Sequence, residues 1–306
     1  MQIDLFMQAL GAQTTSKETL RAYRQDLMRF EEFLTTSAIT VADVRSTTMS
    51  SYVTYLNLKK SQATGSPLAP ATIGRRLAVV SEYFEWLQRD SDDPVRNPVK
   101  LVRRPKVQNI EIRSVEDDIL ETLVSGISSK RDKAIVLLFI YSGFRLAELR
   151  SLDKTTINAR RFETRPGHFE YFGEGAVVGK GGKQRTFRVG PKALNAVASY
   201  ITAERSHDNH AALFLSSRDE RLSSRAIQHV INTWCTKLGV PHIHPHQLRH
   251  SFATRSINGG MSSTVLQELM GHASLSTTQR YFHMKDERIS REYFAAMEFV
   301  GLCSSV

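Results

Sequence analysis

The segment AVVGKGGKQRTFRV, residues 176–189, decides the architecture of the second half of the chain. Two short segments, Ala-Val-Val at residues 176–178 and Thr-Phe-Arg-Val at 186–189, flank a turn that contains three glycines. Runs of this length around a glycine-rich turn predict a β-hairpin whose tip is residues 179–183. The second half therefore contains at least one antiparallel pair of strands.

The sequence on either side of this hairpin has the character of helices. Residues 133–149 are strongly apolar and predict one helix with Gly143 inside it. After Pro191 the pattern is helical to the end of the chain, with breaks near residues 216–221, 239–245 and 259–260. The second half is thus predicted to be helical with a small antiparallel sheet.

The first half predicts helices throughout. Residues 15–18, Thr-Ser-Lys-Glu, form a capping box, and apolar residues then recur at spacings of three and four. This first stripe consists of Leu20, Tyr23, Leu27, Phe30 and Leu34. A second helix is predicted at residues 48–58, and a third begins at Pro70. The stripe of the third helix consists of Ile73, Leu77, Val80, Phe84 and Leu87.

A stretch without periodicity separates the two halves. Residues 92–108 contain three prolines and a basic cluster, which predicts an extended linker between a helical domain, residues 1–91, and a second domain, residues 109–306. If the two domains clamp a duplex, the basic linker lies along phosphates. A solvated run of charge is the alternative.

The composition favours a globular protein that binds a polyanion. The chain of 306 residues is 41% hydrophobic and 24% charged, and its 41 Lys and Arg against 31 Asp and Glu give a formal net charge of +10. No apolar run has the length of a membrane span, and no secretory signal is visible. Cys235 and Cys303 lie far apart, which indicates neither a disulfide framework nor a zinc site and favours a cytoplasmic location.

Four short segments contain the residues suited to catalysis. They are YSGFRLAEL at residues 141–149, VGKGGKQR at 178–185, HPHQLRHSFAT at 244–254 and LMGHASLSTTQRY at 269–281. In this order and at these separations they resemble the tyrosine recombinase (phage integrase) family, especially its Xer-like and transposon-resolvase members. The helices of the first half resemble the SAM-like core-binding domain of the same family.

The resemblance implies a mainly α, two-domain clamp with an all-helical core-binding domain and a helical catalytic domain that contains a small antiparallel sheet. It implies strand exchange through a 3′-phosphotyrosine and a Holliday junction, with no cofactor and no metal. The catalytic residues carried over by motif position are Arg145, Lys180, His246, Arg249, His272 and the nucleophile Tyr281. The candidates for DNA contact are Arg75, Arg76, Arg103, Arg104, Lys106, Lys183 and Arg185.

The implied partners are a double-stranded recombination site and further copies of the chain. The family works as a homotetramer on two DNA sites, from protomers that are monomers or dimers when free, and some members use an accessory DNA-binding protein. A nucleoid-associated location in a bacterial cytoplasm is expected. Resolution of replicon dimers, resolution of transposon cointegrates and integration of a mobile element all remain open. The stretch at residues 160–175 is longer than the family pattern leads us to expect, and its role is not assigned.

Elementary chemistry agrees with these roles. A tyrosine with a pKa near 10 is mostly neutral at pH 7, so nearby cations must favour its attack on a phosphate. Arg145 and Arg249 suit the negative charge of the transition state because a guanidinium is permanently charged and donates two parallel hydrogen bonds. Lys180 at a hairpin tip is a plausible general acid. Glu148 is expected to orient a basic neighbour, and His246 shares a helix face with Arg249.

Two other functions would account for parts of the sequence. Four histidines within nine residues, His242, His244, His246 and His250, would suit a metal-dependent hydrolase, but no carboxylate lies between residues 240 and 255. A DNA-binding protein without catalysis would not need Lys180, His272 and Tyr281 together. Replacement of Tyr281 by Phe distinguishes these alternatives from a recombinase.

The C-terminal residues predict one more amphipathic helix. Apolar side chains at Ile289, Tyr293, Met297 and Val300 recur at spacings of four, four and three. The resemblance implies that this helix packs on a neighbouring protomer and couples active sites. Packing on its own domain is the alternative.

Overall fold

The structure is a computed structural model that describes a large part of the chain. The described residues are 1–12, 16–61, 65–90, 96–105, 114–179, 182, 184–205, 210–271 and 292–297. The chain divides into two units, Met1–Ile110 and Glu111–Val306. Each unit is built around a hydrophobic core of its own.

The first unit is helical. Its helices are α1 (Ile3–Gly11), α2 (Lys17–Thr36), α3 (Ser46–Leu58) and α4 (Pro70–Asp90), with 3-10 turns at Val41–Asp43 and Pro98–Leu101. The sequence predicts α2, α3 and α4, and the residues of their apolar stripes lie in or against the core. Helix α2 begins after Ser16, whose hydroxyl accepts a hydrogen bond from the backbone N–H of Thr19 at 3.1 Å. Thr15 of the predicted capping box lies outside the described residues.

A buried carboxylate holds three arginines in this unit. Asp26 is fully buried, and its oxygens lie 2.5 Å from Nη1 of Arg75, 3.4 Å from Nη1 of Arg29 and 3.5 Å from Nε of Arg76. Burial raises the pKa of Asp26, against the opposing effect of the three guanidiniums. Arg76 is buried, whereas 48% of the Arg75 side chain is exposed. Of the predicted pair, only Arg75 keeps much of its side chain in solvent.

The second unit combines helices with one small sheet. Its helices are α5 (Asp117–Gly126), α6 (Lys130–Ser142), α7 (Leu146–Ser151), α8 (Pro191–Glu204), α9 (Ser224–Leu238), α10 (Pro245–Asn258) and α11 (Ser263–Met270). Helix α6 is buried on almost every side, which explains why its sequence is apolar without a polar face. This mainly helical fold with a small antiparallel sheet is the fold that the sequence predicts.

The sheet has three antiparallel strands in the order β1 (Asn158–Arg165), β2 (His168–Val178) and β3 (Gln184–Val189). The predicted hairpin is confirmed: Val178 pairs with Gln184 and Val177 with Arg185. Strand β1 was not predicted. It pairs with β2 from Asn158 opposite Glu174 onward, so the unassigned stretch at residues 160–175 forms a second hairpin.

The prediction of one helix over residues 133–149 is wrong. Helix α6 ends at Ser142, and Gly143 follows in the left-handed conformation with φ 58°. A side chain at Gly143 would also meet Phe252, since an added Cβ would lie 2.4 Å from its ring. The chain then turns and begins α7 after Arg145. This break places Arg145 at a helix N-terminus instead of on a helix side.

The C-terminal helix packs on its own domain over the residues described there, 292–297. The hydroxyl of Tyr293 donates to the backbone oxygen of Tyr141 at 2.9 Å. The ring of Phe294 lies 5.2 Å from the rings of both Phe162 and Phe172. These six residues therefore support the alternative of packing within one protomer and not the expected packing on a neighbour; Ile289 and Val300 lie outside the described residues.

The backbone at Gly143 gives a first prediction. Gly143→Ala should lower the free energy of unfolding by more than about 1 kcal/mol, because alanine is strained at positive φ and its methyl group would overlap Phe252. Gly74→Ala is the matched control: Gly74 lies inside α4 with no atom within 4 Å of the added carbon. This control should gain up to about 1 kcal/mol. Urea unfolding followed by circular dichroism measures both changes, and a Gly143→Ala protein as stable as wild type would contradict the turn.

Candidate active site

Arg145 and Glu148 form a reciprocal cap at the start of α7. The backbone N–H of Arg145 donates to Oε2 of Glu148 at 2.7 Å, and Nη1 of the same arginine donates to Oε1 at 2.8 Å. Glu148 is buried, while 31% of the Arg145 side chain is exposed. The cap therefore fixes both the direction of the helix and the direction of the arginine side chain. This confirms the expectation that Glu148 orients a basic neighbour.

Arg185 binds the same carboxylate from strand β3. Its Nε and Nη2 donate to the two oxygens of Glu148 at 3.1 Å and 2.6 Å, a bidentate arrangement. Only 6% of its side chain is exposed. The sequence suggests Arg185 as a DNA contact, and this stays a prediction; in the structure its guanidinium is buried against Glu148.

Arg249 is the third arginine of this cluster. It lies in α10 and is buried, with Nη1 3.9 Å from Oε2 of Glu148. Its Nη1 donates to the backbone oxygen of Gly143 and its Nη2 to that of Met270, the latter at 2.7 Å. The two arginines of the sequence motifs and Arg185 thus meet around one carboxylate.

Three consecutive backbone oxygens at the end of α11 complete the cluster. Arg185 donates to Leu269, Arg249 to Met270 and Arg145 to Gly271. The last carbonyls of a helix lack partners within the helix and carry the negative end of its dipole, so they are suited to cations. The residue that follows in the chain is His272, one of the predicted catalytic residues.

The charges of the cluster do not cancel. Three guanidiniums face one carboxylate, which leaves a surplus of positive charge in a buried position. Burial raises the pKa of Glu148, but hydrogen bonds and charge interaction with Arg185, then hydrogen bonds with Arg145, outweigh burial and hold this pKa below its ordinary value. Burial, followed by repulsion from Arg145 and Arg185, lowers the pKa of Arg249 to about 9. The Arg249 guanidinium stays charged at pH 7, and an added anion would relieve the repulsion around it.

Of the predicted site residues, the structure brings together Arg145, Arg185 and Arg249. His246 is exposed on the first turn of α10, three residues before Arg249. Arg103 and Arg104 are exposed. The remaining candidates lie outside the described residues: Lys106, Lys180, Lys183, His272 and Tyr281.

Three of the four histidines of the metal-site alternative are exposed. These are His242, His244 and His246, and the described residues include no group of three His, Cys, Asp or Glu that could hold a metal ion. Within the same part of the chain, no helix has the length and apolar character needed to cross a membrane.

Sequence reasoning missed how Arg185 is used, although one signal was present. In strand β3, the apolar residues Phe187 and Val189 lie two and four residues after Arg185, so the three side chains share one face of the strand. The backbone oxygens of α11 could not be found from the sequence, since every residue type carries one.

Comparison with known proteins follows the same division of the chain. The model of the phage integrase family matches residues 113–288, and the N-terminal SAM-like domain of phage integrases matches residues 3–91. The chain belongs to the phage integrase family.

Among curated relatives, the chain is similar to two proteins named tyrosine recombinase XerC. The one from Chromohalobacter salexigens is 33% identical over 95% of this chain and 93% of its own length. The one from Pelobacter propionicus is 31% identical over 91% of this chain and 88% of its own length. Similarity at this level extends over both units.

Solved structures share the fold at low sequence identity. A lambda integrase dimer bound to a COC′ core site matches with a TM-score of 0.68 at 15% identity, over 93% of this chain and 97% of that one. The XerH recombinase bound to its difH substrate matches with a TM-score of 0.63 at 18% identity, over 94% of this chain and 82% of that one. These likenesses extend the shared fold across both units.

The buried carboxylate gives a second prediction. Glu148→Gln should lower the free energy of unfolding by about 3–5 kcal/mol at pH 7, because it leaves buried guanidiniums without their counter-charge. The pKa of Glu148 is held below its ordinary value, so its stabilising effect is present above pH 4.5 and is lost as the pH falls through the lowered pKa. The difference between wild type and variant should therefore shrink in acid.

Glu220→Gln is the control for this measurement, since Glu220 is exposed. It should change stability by no more than about 0.5 kcal/mol. Denaturant titrations at pH 7 and at pH 3.5 supply the four comparisons. A Glu148→Gln protein whose stability deficit is the same at both pH values would contradict the ion-pair account.

Proposed function

We propose that this protein is a site-specific recombinase that cuts and rejoins duplex DNA through a covalent bond between Tyr281 and a 3′-phosphate. The observation that carries the proposal is the surplus positive charge of Arg145, Arg185 and Arg249 around Glu148. A buried cation cluster with one carboxylate is matched to a ligand that brings negative charge, and a DNA phosphate is such a ligand. Membership of the phage integrase family supports the same activity.

The chemistry needs a covalent intermediate because the energy of the broken phosphodiester must be kept for rejoining. The hydroxyl of Tyr281 attacks phosphorus, and the O5′ atom of the next nucleotide leaves. Negative charge grows on the nonbridging oxygens in the transition state. Arg145 and Arg249 are positioned before the reaction by Glu148 and by backbone oxygens, so little reorganisation is needed when that charge develops.

The proton transfers are assigned to the remaining catalytic residues. Lys180 would protonate the departing O5′ atom. His246 would accept the proton of Tyr281 or donate to the phosphate, and its exposed position on α10 leaves it accessible. His272 would donate to a nonbridging oxygen, and it directly follows the carbonyl that accepts from Arg145.

Contacts that hold the duplex would come from both units. Arg75 keeps half of its side chain in solvent while Asp26 fixes its position, which suits a phosphate contact. Arg29 shares Asp26 and is 40% exposed, so it is added to the proposed contacts. Arg76 is buried, and its Nε lies 3.5 Å from the same carboxylate. The remaining contacts are proposed for Arg103, Arg104, Lys106 and Lys183.

The partners proposed for the reaction are two recombination sites and four copies of the chain. The relatives named XerC and the DNA-bound XerH and lambda integrase structures support DNA as the partner. We place the reaction in the cytoplasm, with an accessory DNA-binding protein as a further partner. Resolution of dimers or cointegrates and integration of a mobile element use the same chemistry.

The nucleophile gives a third prediction. Tyr281→Phe should abolish the covalent protein–DNA adduct on a nicked suicide substrate and leave binding to the site within a few fold, because the ring remains and only the attacking oxygen is lost. Tyr171→Phe is the control, since Tyr171 is 58% exposed in strand β2, and it should form the adduct as wild type does. Denaturing gels measure the adduct, and one that persists in Tyr281→Phe would contradict the assignment.

The same gels also test the alternative of a metal-dependent hydrolase. The wild-type protein should form the adduct equally well with and without EDTA, because arginine, lysine and histidine supply the positive charge. Loss of cleavage in EDTA that a divalent metal restores would favour a metal site at the histidine segment.

A further inference from the structure

The guanidinium of Arg185 makes bonds that the guanidinium of neither Arg145 nor Arg249 makes. It binds both oxygens of Glu148, which lies 37 residues earlier in the chain, and the backbone oxygen of Leu269, which lies 84 residues later. Its guanidinium also lies 5.7 Å from the ring of Phe144. With 6% of its side chain exposed, it holds three distant parts of the second unit together from inside.

Its place in the sheet connects these bonds to the hairpin tip. Arg185 is paired with Val177 across β2 and β3, next to the pair of Val178 and Gln184 that closes the hairpin. Lys180 follows Val178 by two residues in the sequence and lies outside the described residues. The side chain that fixes the base of the hairpin therefore also binds the carboxylate that orients Arg145.

The opposite end of Arg185 is fitted tightly against the segment that leads to His272. Gly271 adopts φ 59°, and an added Cβ there would lie 2.4 Å from Cδ of Arg185. The stem of Arg185 thus occupies the space beside Gly271, and its head group binds Leu269 two residues earlier. A shift of Arg185 would move against the end of α11 as well as against Glu148.

We propose that Arg185 is a positioning residue that aligns the Lys180 hairpin with the phosphate held by Arg145 and Arg249. This inference rests on the proposed function. A lysine cannot replace Arg185, because one ammonium cannot donate in parallel to both oxygens of Glu148 and also reach Leu269. The effect of Arg185 on the reaction should therefore be an effect on Lys180, the proposed acid.

The test compares two suicide substrates that differ in one atom. In the first, the bond from phosphorus to O5′ breaks, the bond from Tyr281 to phosphorus forms, and O5′ takes a proton from Lys180. In the second, sulfur replaces O5′ and leaves as a thiolate. A thiol has a pKa of about 8.5, so the thiolate leaves without a proton at the pH of the assay. The sulfur substrate therefore bypasses the acid.

Arg185→Lys should cleave the oxygen substrate about 100-fold more slowly than wild type, the effect of a misplacement of about 1 Å. Its affinity for a half-site should stay within about threefold, because the positive charge is kept. On the sulfur substrate its cleavage rate should return to within about tenfold of wild type, since the acid is no longer needed. A residue with a purely structural role would slow both substrates equally.

Two further variants serve as references for the Arg185→Lys result. Lys180→Ala should be slow on the oxygen substrate and rescued by sulfur. Arg188→Lys is the matched control, because Arg188 is a buried arginine of the same strand that pairs with Glu174 and not with Glu148. It should keep the wild-type ratio of the two cleavage rates.

The outcomes separate this inference from the proposed function. If sulfur rescues Lys180→Ala but not Arg185→Lys, or if Arg185→Lys cleaves the oxygen substrate at the wild-type rate, the positioning role is overturned and the proposed function stands. If sulfur does not rescue Lys180→Ala, the assignment of the acid itself fails. Arg185→Gln provides a second variant; if neither variant folds and binds a half-site, Arg185 is a structural residue and the inference is overturned.

Discussion

One carboxylate and the end of one helix hold the catalytic unit in its working arrangement. Glu148 binds Arg145 and Arg185 directly and lies 3.9 Å from Arg249, and the last three backbone oxygens of the α11 region each accept from one of these arginines. Arginines from three separate elements are thereby brought to one point. Without Glu148 their mutual repulsion in a buried position would separate these elements, so the fold and the site depend on the same ion pairs.

The cluster is suited to binding an anion because its positive charges outnumber its negative charge. A buried ion pair adds little net stability when its charges merely cancel, since desolvation offsets the attraction. Here the guanidiniums outnumber the carboxylate, and burial, followed by repulsion from Arg145 and Arg185, lowers the pKa of Arg249 to about 9. A phosphate that enters the site would supply the missing negative charge. A similar arrangement of three arginines recurs around Asp26 in the first unit, where Arg29 and Arg75 keep part of their side chains in solvent.

Much of this could be predicted from the sequence, because the motifs state which residue types are needed and in what order. The hairpin, the mainly helical fold, the core stripes and the role of Glu148 in orienting a basic neighbour were all predicted, and the family membership agrees with them. The break at Gly143 was missed because an apolar run reads as one buried helix, and only the fit against Phe252 requires the turn. The burial of Arg185 was missed because it depends on a contact with Leu269, 84 residues away.

The central claim is that the surplus charge of this cluster neutralises a DNA phosphate, and a neutral phosphate tests it most directly. A suicide substrate whose scissile phosphate carries a methyl group in place of one nonbridging oxygen has no negative charge for an arginine to balance. Cleavage by wild type and by Arg249→Ala is measured on this substrate and on ordinary DNA. The account predicts that Arg249→Ala loses about 100-fold or more on ordinary DNA and regains most of that loss on the methyl substrate. An Arg249→Ala protein with the same deficit on both substrates would contradict it.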